Sequence, residues 1–241
     1  MRISLLFLVF FIGSFPVGRA QTQGNMDLFD VSYSGGGGNA EVSQKTTYIN
    51  RMGAGYSYLG NKMSFGLQYH FLFGDYSGPD IFAALRTSEG LFIASDGSLT
   101  NVSVFYRGNS FYASIGRVFP VKSGDLIGLN FCAGALQNKL AIKSLGGTLP
   151  FLSSESIKGY DQFSIGPSVK QEIRWTHLGA KKRVNFYVAL FGEEAFLKNL
   201  RKYNYFNTSA DEAWHFNFMF GIQAGWIIPV YANNDDEEFI D

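Results

Sequence analysis

Residues 214–231 read Trp214-His215-Phe216-Asn217-Phe218-Met219-Phe220-Gly221-Ile222-Gln223-Ala224-Gly225-Trp226-Ile227-Ile228-Pro229-Val230-Tyr231. Trp214, Phe216, Phe218, Phe220, Ile222, Ala224, Trp226, Ile228 and Val230 share one parity, while His215, Asn217, Gly221, Gln223 and Gly225 occupy the other. Period two is the signature of a β-strand, whose successive side chains point to opposite faces. The length of the run decides which kind of sheet it belongs to. Strands of soluble proteins average about five or six residues, and this run is far longer. Trp214 and Trp226 lie on one face; at ~3.3 Å per residue and a ~45° tilt they stand roughly 28 Å apart in height. That separation matches the apolar band of about 25 Å, with aromatic girdles at both edges, of a barrel that crosses a membrane.

The pattern recurs. Phe163, Ile165, Pro167, Val169, Ile173 and Trp175 oppose Ser164, Gly166, Ser168, Lys170, Glu172 and Arg174, with Gln171 the one lapse on the apolar face. Met63, Phe65, Leu67, Tyr69, Phe71 and Phe73 oppose Ser64, Gly66, Gln68 and His70, and Ile127, Leu129, Phe131 and Ala133 oppose Gly128, Asn130, Cys132 and Gly134. In a soluble sandwich or lipocalin-like barrel the oily parity turns inward. In a membrane barrel it meets acyl chains, and the polar, glycine-rich parity lines the lumen.

Turn signals between the runs give strands near 27–35, 46–59, 62–73, 82–95, 98–107, 110–120, 125–136, 161–175, 182–191 and 213–231. The expected fold is therefore all-β, a closed antiparallel up-and-down transmembrane barrel of about ten strands. Eight is the alternative, reached by dropping the two weakest runs, 27–35 and 82–95. Tight connections at Gly60-Asn61, Asp96-Gly97, 121–124 and 176–181 alternate with long ones at 36–45, 74–81, 137–160 and 192–212. Short turns belong in the periplasm and long loops outside, which puts both termini in the periplasm. Gly108-Asn109 breaks this rule as a tight outer turn, and Gly35 to Gly38 read as a loop.

Arg2, the apolar run from Leu5 to Phe15, and Gly18 and Ala20 ahead of Gln21 form a cleavable signal peptide over 1–20. The barrel domain then covers 21–231, and an acidic periplasmic tail, with Asp235, Asp236, Glu237, Glu238 and Asp241, covers 232–241. Lys+Arg and Asp+Glu both number 20, so no basic excess suits nucleic acid. The single cysteine rules out an internal disulfide framework or a cysteine-built metal cluster. No HExxH, Walker, G-x-S-x-G or EF-hand pattern occurs, and no cofactor or metal is expected.

The cleavable leader ending Arg19-Ala20-Gln21, the long alternating strands and the aromatic-terminated Trp226 to Tyr231 resemble small outer-membrane β-barrel proteins of Gram-negative bacteria. The Ala20-Gln21 junction resembles exports of the Bacteroidota. The resemblance implies an outer-membrane location, contact with outer-membrane lipid, and recognition of the last strand by the barrel-insertion machinery. There such strands usually end the chain on an aromatic residue; here Tyr231 is followed by Ala232 to Asp241, so the signal is expected to be internal.

Arg51, Gln68, His70, Arg117, Lys170, Glu172 and Arg174 are expected to line the lumen, and Trp175, Trp214, Trp226 and Tyr231 to form the girdles. Charges confined in a narrow barrel are expected to pair and fill it. The expected function is non-enzymatic, structural or interactive, with the long outer loops 137–160 and 192–212 as candidate partner surfaces; the partner expected is an extracellular or periplasmic protein. One alternative is a narrow, porin-like solute channel, anion-selective through excess Arg and Lys. Another is a rim-located hydrolase, protease or lipid-modifying, built on His70 and His215 with Asp75, Asp80, Asp211 and a serine among Ser88, Ser153, Ser154 and Ser209.

Overall fold

Eight long strands form in this chain because eight segments keep the two-residue alternation, and they close on themselves because every strand finds two neighbours. The computed structural model describes residues 25–39, 46–60, 62–122, 124–179, 185–201, 203–205 and 213–231. The leader over 1–20 and the tail over 232–241 lie outside the described residues. The strands are β1 (Met26–Asn39), β2 (Thr46–Leu59), β3 (Met63–Asp75), β4 (Val102–Lys122), β5 (Asp125–Ser144), β6 (Ser164–Leu178), β7 (Asn185–Asn199) and β8 (Trp214–Tyr231). Each pairs antiparallel with the next, and β1 closes the cylinder on β8 from Met26 opposite Tyr231 to Asn39 opposite Phe218. A closed ring leaves no unpaired edge, which is what lets a sheet lie in hydrocarbon.

The barrel class expected from the sequence holds, with the lower of the two strand counts. Eight arises by a different route from the one the sequence suggested. The segment 27–35 is a full strand. The pair 98–107 and 110–120 is one strand, β4, running without a turn through Gly108 and Asn109, which pair with Asn138 and Gln137. Residues 82–95 leave the barrel altogether; they hold a one-turn helix (Ala83–Leu85) and half of a two-residue ribbon, Phe92–Ile93 paired with Leu99–Thr100. With those changes the alternation of turns has no exception. Residues 60–62, 123–124 and 179–184 connect strands at one end, while 40–45, 76–101, 145–163 and 200–213 connect them at the other.

Gly35 to Gly38 also lie within a strand, paired on both sides. The reason is close approach: a Cβ on Gly36 would run into the Phe220 carbonyl oxygen, and one on Gly38 into that of Phe218. Gly36→Val is therefore expected to force β1 away from β8 and to destabilise the barrel by about 1–3 kcal/mol, measured by urea unfolding in lipid vesicles.

The oily parity faces out. Phe218 is 38% exposed, Phe131 49% and Leu67 47%, and Phe29, Val31, Phe65, Ile115, Ile173, Leu190, Ile222 and Trp226 share that outer surface. Ile165 joins them, and Leu129 occupies the same outward parity of β5. So continuous an apolar exterior is unfavourable in water and suited to acyl chains. No helix among the described residues is long and apolar enough to cross a membrane; the crossing is made by strands. Closed barrels of this kind are the spanning architecture of outer membranes, and the chain is an integral outer-membrane β-barrel.

Candidate functional site

Two parts of the molecule carry polar or chemically distinctive side chains: the lumen and the outer cap. The lumen is built in three layers. At the short-turn end Met26, Leu28, Leu59, Leu178, Tyr187, Ala189 and Ile227 pack together. Toward the outside Ile49, Leu72, Tyr106, Leu136, Phe191, Ala195, Leu197 and Met219 form a second apolar layer. Between them lies an ionic layer.

Glu172 is its hub. Its carboxylate accepts hydrogen bonds from Arg174 Nε at 2.6 Å, Lys170 Nζ at 3.2 Å and Asn130 Nδ2 at 3.2 Å. Lys170, fully buried, also donates to Gln68 Oε1 at 2.5 Å. Arg174 lies 3.8 Å from Asp30 and stacks 4.0 Å above the Tyr187 ring, whose hydroxyl donates to Asp30 at 3.1 Å. Gln223 closes the network by donating to the Tyr187 hydroxyl at 2.6 Å and the Ser32 hydroxyl at 3.1 Å. A second pair, Arg51 to Glu193 at 2.6 Å, sits against Met219 and the Phe191 ring.

Among the described residues, the cations Arg51, Lys170 and Arg174 are thus met by the anions Asp30, Glu172 and Glu193. The structure brings Arg51, Gln68, His70, Lys170, Glu172 and Arg174 into the lumen. Arg117 corrects the expected set: it lies on the outward parity of β4, between Ile115 and Phe119, and its guanidinium sits 5.5 Å from the Phe119 ring. Near the short-turn end this places a long cationic side chain where it can reach lipid head groups. Asp30 and Glu193 are the lumen carboxylates that sequence reasoning missed. Counting them removes the excess of positive charge on which an anion-selective thread was based. Cavities inside include one of about 40 Å³, beside Asp30, Gln68 and Arg174, and one of about 10 Å³, beside Tyr106 and Glu193. The larger is room for only a water or two.

His70 is 2% exposed, beneath the outer apolar layer, with Nδ1 3.5 Å from the Ser110 hydroxyl and its ring edge-on to Tyr112. It is therefore not at the rim. His215 faces inward near the outer end of β8, Asp75 is exposed on the outside of β3, and Asp80 is bound to Arg86. Ser88, Ser153 and Ser154 are exposed in the cap, and Asp211 and Ser209 lie outside the described residues. No group of three or more metal-binding side chains occurs among the described residues. Trp175 and Trp226 stand on the outer face toward the short-turn end and Trp214 toward the other. Tyr231 ends β8 opposite Met26, and its side chain lies outside the described residues.

The outer cap is a small second core. β4 and β5 outrun their neighbours: β3 pairs with β4 only as far as Phe105, and β6 with β5 only as far as Asn138. Around this projecting hairpin Ile81, Phe82, Phe92, Ala94, Val102, Leu140, Ile142 and Leu149 bury one another, with Phe151, Leu152, Ile157 and Tyr160 packed against them. Phe82 is the aromatic centre, 4.8 Å from the Tyr160 ring, 5.6 Å from Phe151 and 6.0 Å from Phe92. Arg86 ties the loop down through Asp80, the Gly90 carbonyl and the Phe92 ring. Arg201 grips Asp161 through two nitrogens and draws the last loop onto the cap, where the Tyr205 ring lies tilted against Tyr160 at 5.1 Å. Of the loops expected at 137–160 and 192–212, 137–144 and 192–199 are strand, while 202 and 206–212 lie outside the described residues; the loop 76–101 contributes Ile81, Phe82, Phe92 and Ala94 to the cap.

At the ribbon's turn, Asp96 accepts from the Ser98 hydroxyl at 2.6 Å and the Ser98 backbone N–H at 3.0 Å, which holds its carboxyl below its ordinary value. The folded value is the depressed one, so this contribution is present at neutral pH and is lost as pH falls through it. The Ser98 amide resonance is expected to stay constant from pH 7 to 5 and to shift only below about pH 4.

No protein-family model matches the chain, and no curated protein matches it. Among solved structures it is similar to Neisserial surface protein A, at 11% identity over 86% of this chain and 99% of the other, with a TM-score of 0.46. It is also similar to Ail, the attachment invasion locus protein of Yersinia pestis, at 10% identity over 85% of this chain and 99% of the other, with a TM-score of 0.44. The assignment of fold rests on the closed sheet and its apolar exterior.

Proposed function

We propose that this barrel is a non-enzymatic, non-conducting anchor that holds a preformed interaction surface outside the cell. The observation that carries the reading is the pairing of a sealed lumen with an ordered cap. An ionic layer between two apolar ones, and cavities of about 10 and 40 Å³ beside it, support a lumen that passes no solute. A cap with its own hydrophobic core is held ready for contact, which lowers the ordering cost of binding.

The surface itself is apolar and aromatic. Ile93 and Leu99 face each other across the ribbon, exposed at 60% and 53%, and Leu145, 67% exposed, continues them through its N–H bond to the Asn101 carbonyl. Leu200, Tyr203 and Tyr205 form a second exposed group beside the Arg201–Asp161 pair. Large apolar side chains on an ordered outer surface mark interaction sites. A protein partner outside the cell fits this chemistry better than a small polar ligand.

Planar-bilayer recordings of the purified barrel are expected to show no conductance steps. A photo-crosslinking residue at Leu145 on intact cells is expected to give one discrete protein adduct, lost in the Ile93→Ser, Leu99→Ser variant while surface display persists. Steady conductance, or the absence of any adduct in the organism's own setting, contradicts the reading.

A further inference from the structure

The outward face of the barrel is charged unevenly along its height. Among the described residues, its long-loop end carries Arg107, Lys139, Lys143 and Lys198 against the carboxylate of Asp75, whereas its short-turn end carries Arg117 against Asp27 and Asp125. The short-turn acids are held within the wall, Asp27 by the Tyr56 hydroxyl at 2.6 Å and Asp125 by His177 at 2.6 Å. The four long-loop cations make no ion pair among the described residues.

Three of the four stand together on the projecting hairpin, where β5 rises past the end of β6. Arg107 of β4 is the direct cross-strand partner of Lys139 of β5, Ser103 is that of Lys143, and between those rows Phe105 faces Ala141. Arg107 leans along the wall toward this middle row, its guanidinium 5.2 Å from the Phe105 ring while one terminal nitrogen donates to the Tyr106 carbonyl at 2.8 Å. Lys139 and Lys143 flank Ala141 from below and above, roughly 13 Å apart along the strand. Like charges set directly opposite each other destabilise a sheet. The protein does not offset this pair, because Asp75 lies beyond Phe105 on β3 and bonds neither cation. The cap does not cover it either: Val102, Leu140 and Ile142 of the cap core occupy the other parity of the same hairpin.

The rows toward the barrel's middle indicate what the missing anion is attached to. Next to Arg107 and Lys139 on the outward parity come Asn109 and Gln137, and after them Phe111 with Ala135, Ala113 with Ala133, and Ile115 with Phe131. The Tyr69 hydroxyl donates to the Asn109 side-chain oxygen, which leaves the amide nitrogen as a donor. Cations, then amide donors, then oily side chains follow the order of a lipid standing against the wall: phosphate, ester or amide linkage, acyl chain. A free phosphate would use the first row alone.

We propose that this strip of the β4–β5 wall binds one phosphate-bearing lipid of the outer leaflet, with the phosphate over Ala141 among Arg107, Lys139 and Lys143. Arg and Lys are the side chains suited to phosphate oxygens, Arg through its planar fork and Lys as a point charge on a flexible stem. Ser103 adds a hydroxyl donor, Asn109 and Gln137 meet the linkage carbonyls, and the chains lie on Phe111 and Ile115. The site is independent of whatever the cap binds.

The full chain in dodecyl maltoside micelles, which carry no phosphate, is titrated with diphosphoryl lipid A and with the same lipid stripped of its phosphates, binding being read by native mass spectrometry. The phosphorylated lipid is expected to bind more tightly by about ten-fold or more. Arg107→Gln with Lys139→Gln is expected to remove that preference while heat-modifiable migration persists, and Lys158→Gln with Lys198→Gln, cations off the strip, is expected to keep it. Urea unfolding gives a readout whose sign depends on the surroundings. Without lipid the glutamine pair relieves repulsion and is expected to be at least as stable as the unmodified chain; in vesicles containing the phosphorylated lipid it is expected to unfold at lower urea. Equal binding of the two lipids, the same loss in the Lys158 and Lys198 variant, displacement of the lipid by inorganic phosphate, which would make this a free-anion site only, or a glutamine pair that loses no stability in the phosphorylated vesicles overturns the proposal.

Discussion

Glu172→Ala is expected to lower the unfolding free energy of the barrel by about 3–5 kcal/mol. The residue is 2% exposed and holds Arg174, Lys170 and Asn130 at once. Its removal leaves Lys170 and Arg174 buried, with Asp30 3.8 Å from Arg174 and with Glu193, opposite Lys170, already engaged by Arg51. The loss comes from stranding charge in the lumen, not from any large intrinsic worth of an ion pair. A companion variant separates the two. Arg51→Met with Glu193→Leu removes both members of the 2.6 Å pair and fills the space with apolar volume beside Met219 and Phe191. It is expected to change stability by less than about 1–2 kcal/mol in either direction, whereas Glu193→Ala alone is expected to cost as much as Glu172→Ala. Reversible urea unfolding in lipid vesicles measures all three. Equal losses for the double variant and Glu193→Ala would mean that the charges stabilise by attraction after all.

Phe131→Arg is the second large effect, and it probes the opposite face of the wall. Phe131 is 49% exposed at the centre of the outward parity of β5, between Leu129 and Ala133. A cation at mid-depth on the lipid side is expected to cost about 2–4 kcal/mol, falling toward zero near the head groups. Lys139→Arg, on the same parity beyond the outer rim, is expected to be silent. In water the order would differ, since an exposed Phe→Arg change on a soluble protein is near neutral. The same vesicle unfolding assay applies. A cost below about 0.5 kcal/mol at position 131 would mean that the outer face does not meet hydrocarbon.

Much of this was legible in the sequence because a membrane wall separates its two faces so sharply. β3, β5, β6 and β8 alternate with few lapses, and their inward and outward residues fall as the pattern indicates. Reading failed where local chemistry imitates a turn. Gly108-Asn109 has the composition of a hairpin turn, yet Asn109 faces outward within β4 and is held by the Tyr69 hydroxyl. The Gly35 to Gly38 run signals a loop when taken alone; only the neighbouring β8 carbonyls show why side chains are absent there. Phe82 and Phe92 suggested a strand because they are strongly apolar, but they belong to the cap core, which has no periodicity to announce it.

The lumen suffered from a related error. Gly192-Glu193-Glu194 looked like the start of a polar loop, so β7 was ended at Phe191, and the carboxylate that neutralises Arg51 was lost with it. Asp30 sits on β1, the strand whose alternation is interrupted by the Gly35 to Gly38 run. Arg117 faces outward because its parity within β4 puts it in line with Phe111 and Ile115. Candidate side chains in a barrel are settled by parity, and parity needs the strand's full extent.

Oxygen and nickel-chelate accessibility of nitroxides placed singly along β8, from Phe216 to Ile228 in lipid bilayers, tests the assignment of inside and outside most directly. Oxygen partitions into acyl chains and the chelate stays in water. Labels at 218, 220, 222 and 224 are expected to be high for oxygen and low for the chelate, and labels at 219, 221 and 223 low for both, with strict alternation. Loss of alternation, or high oxygen access at 219, 221 and 223 instead, would contradict an oily exterior facing lipid around a packed polar lumen.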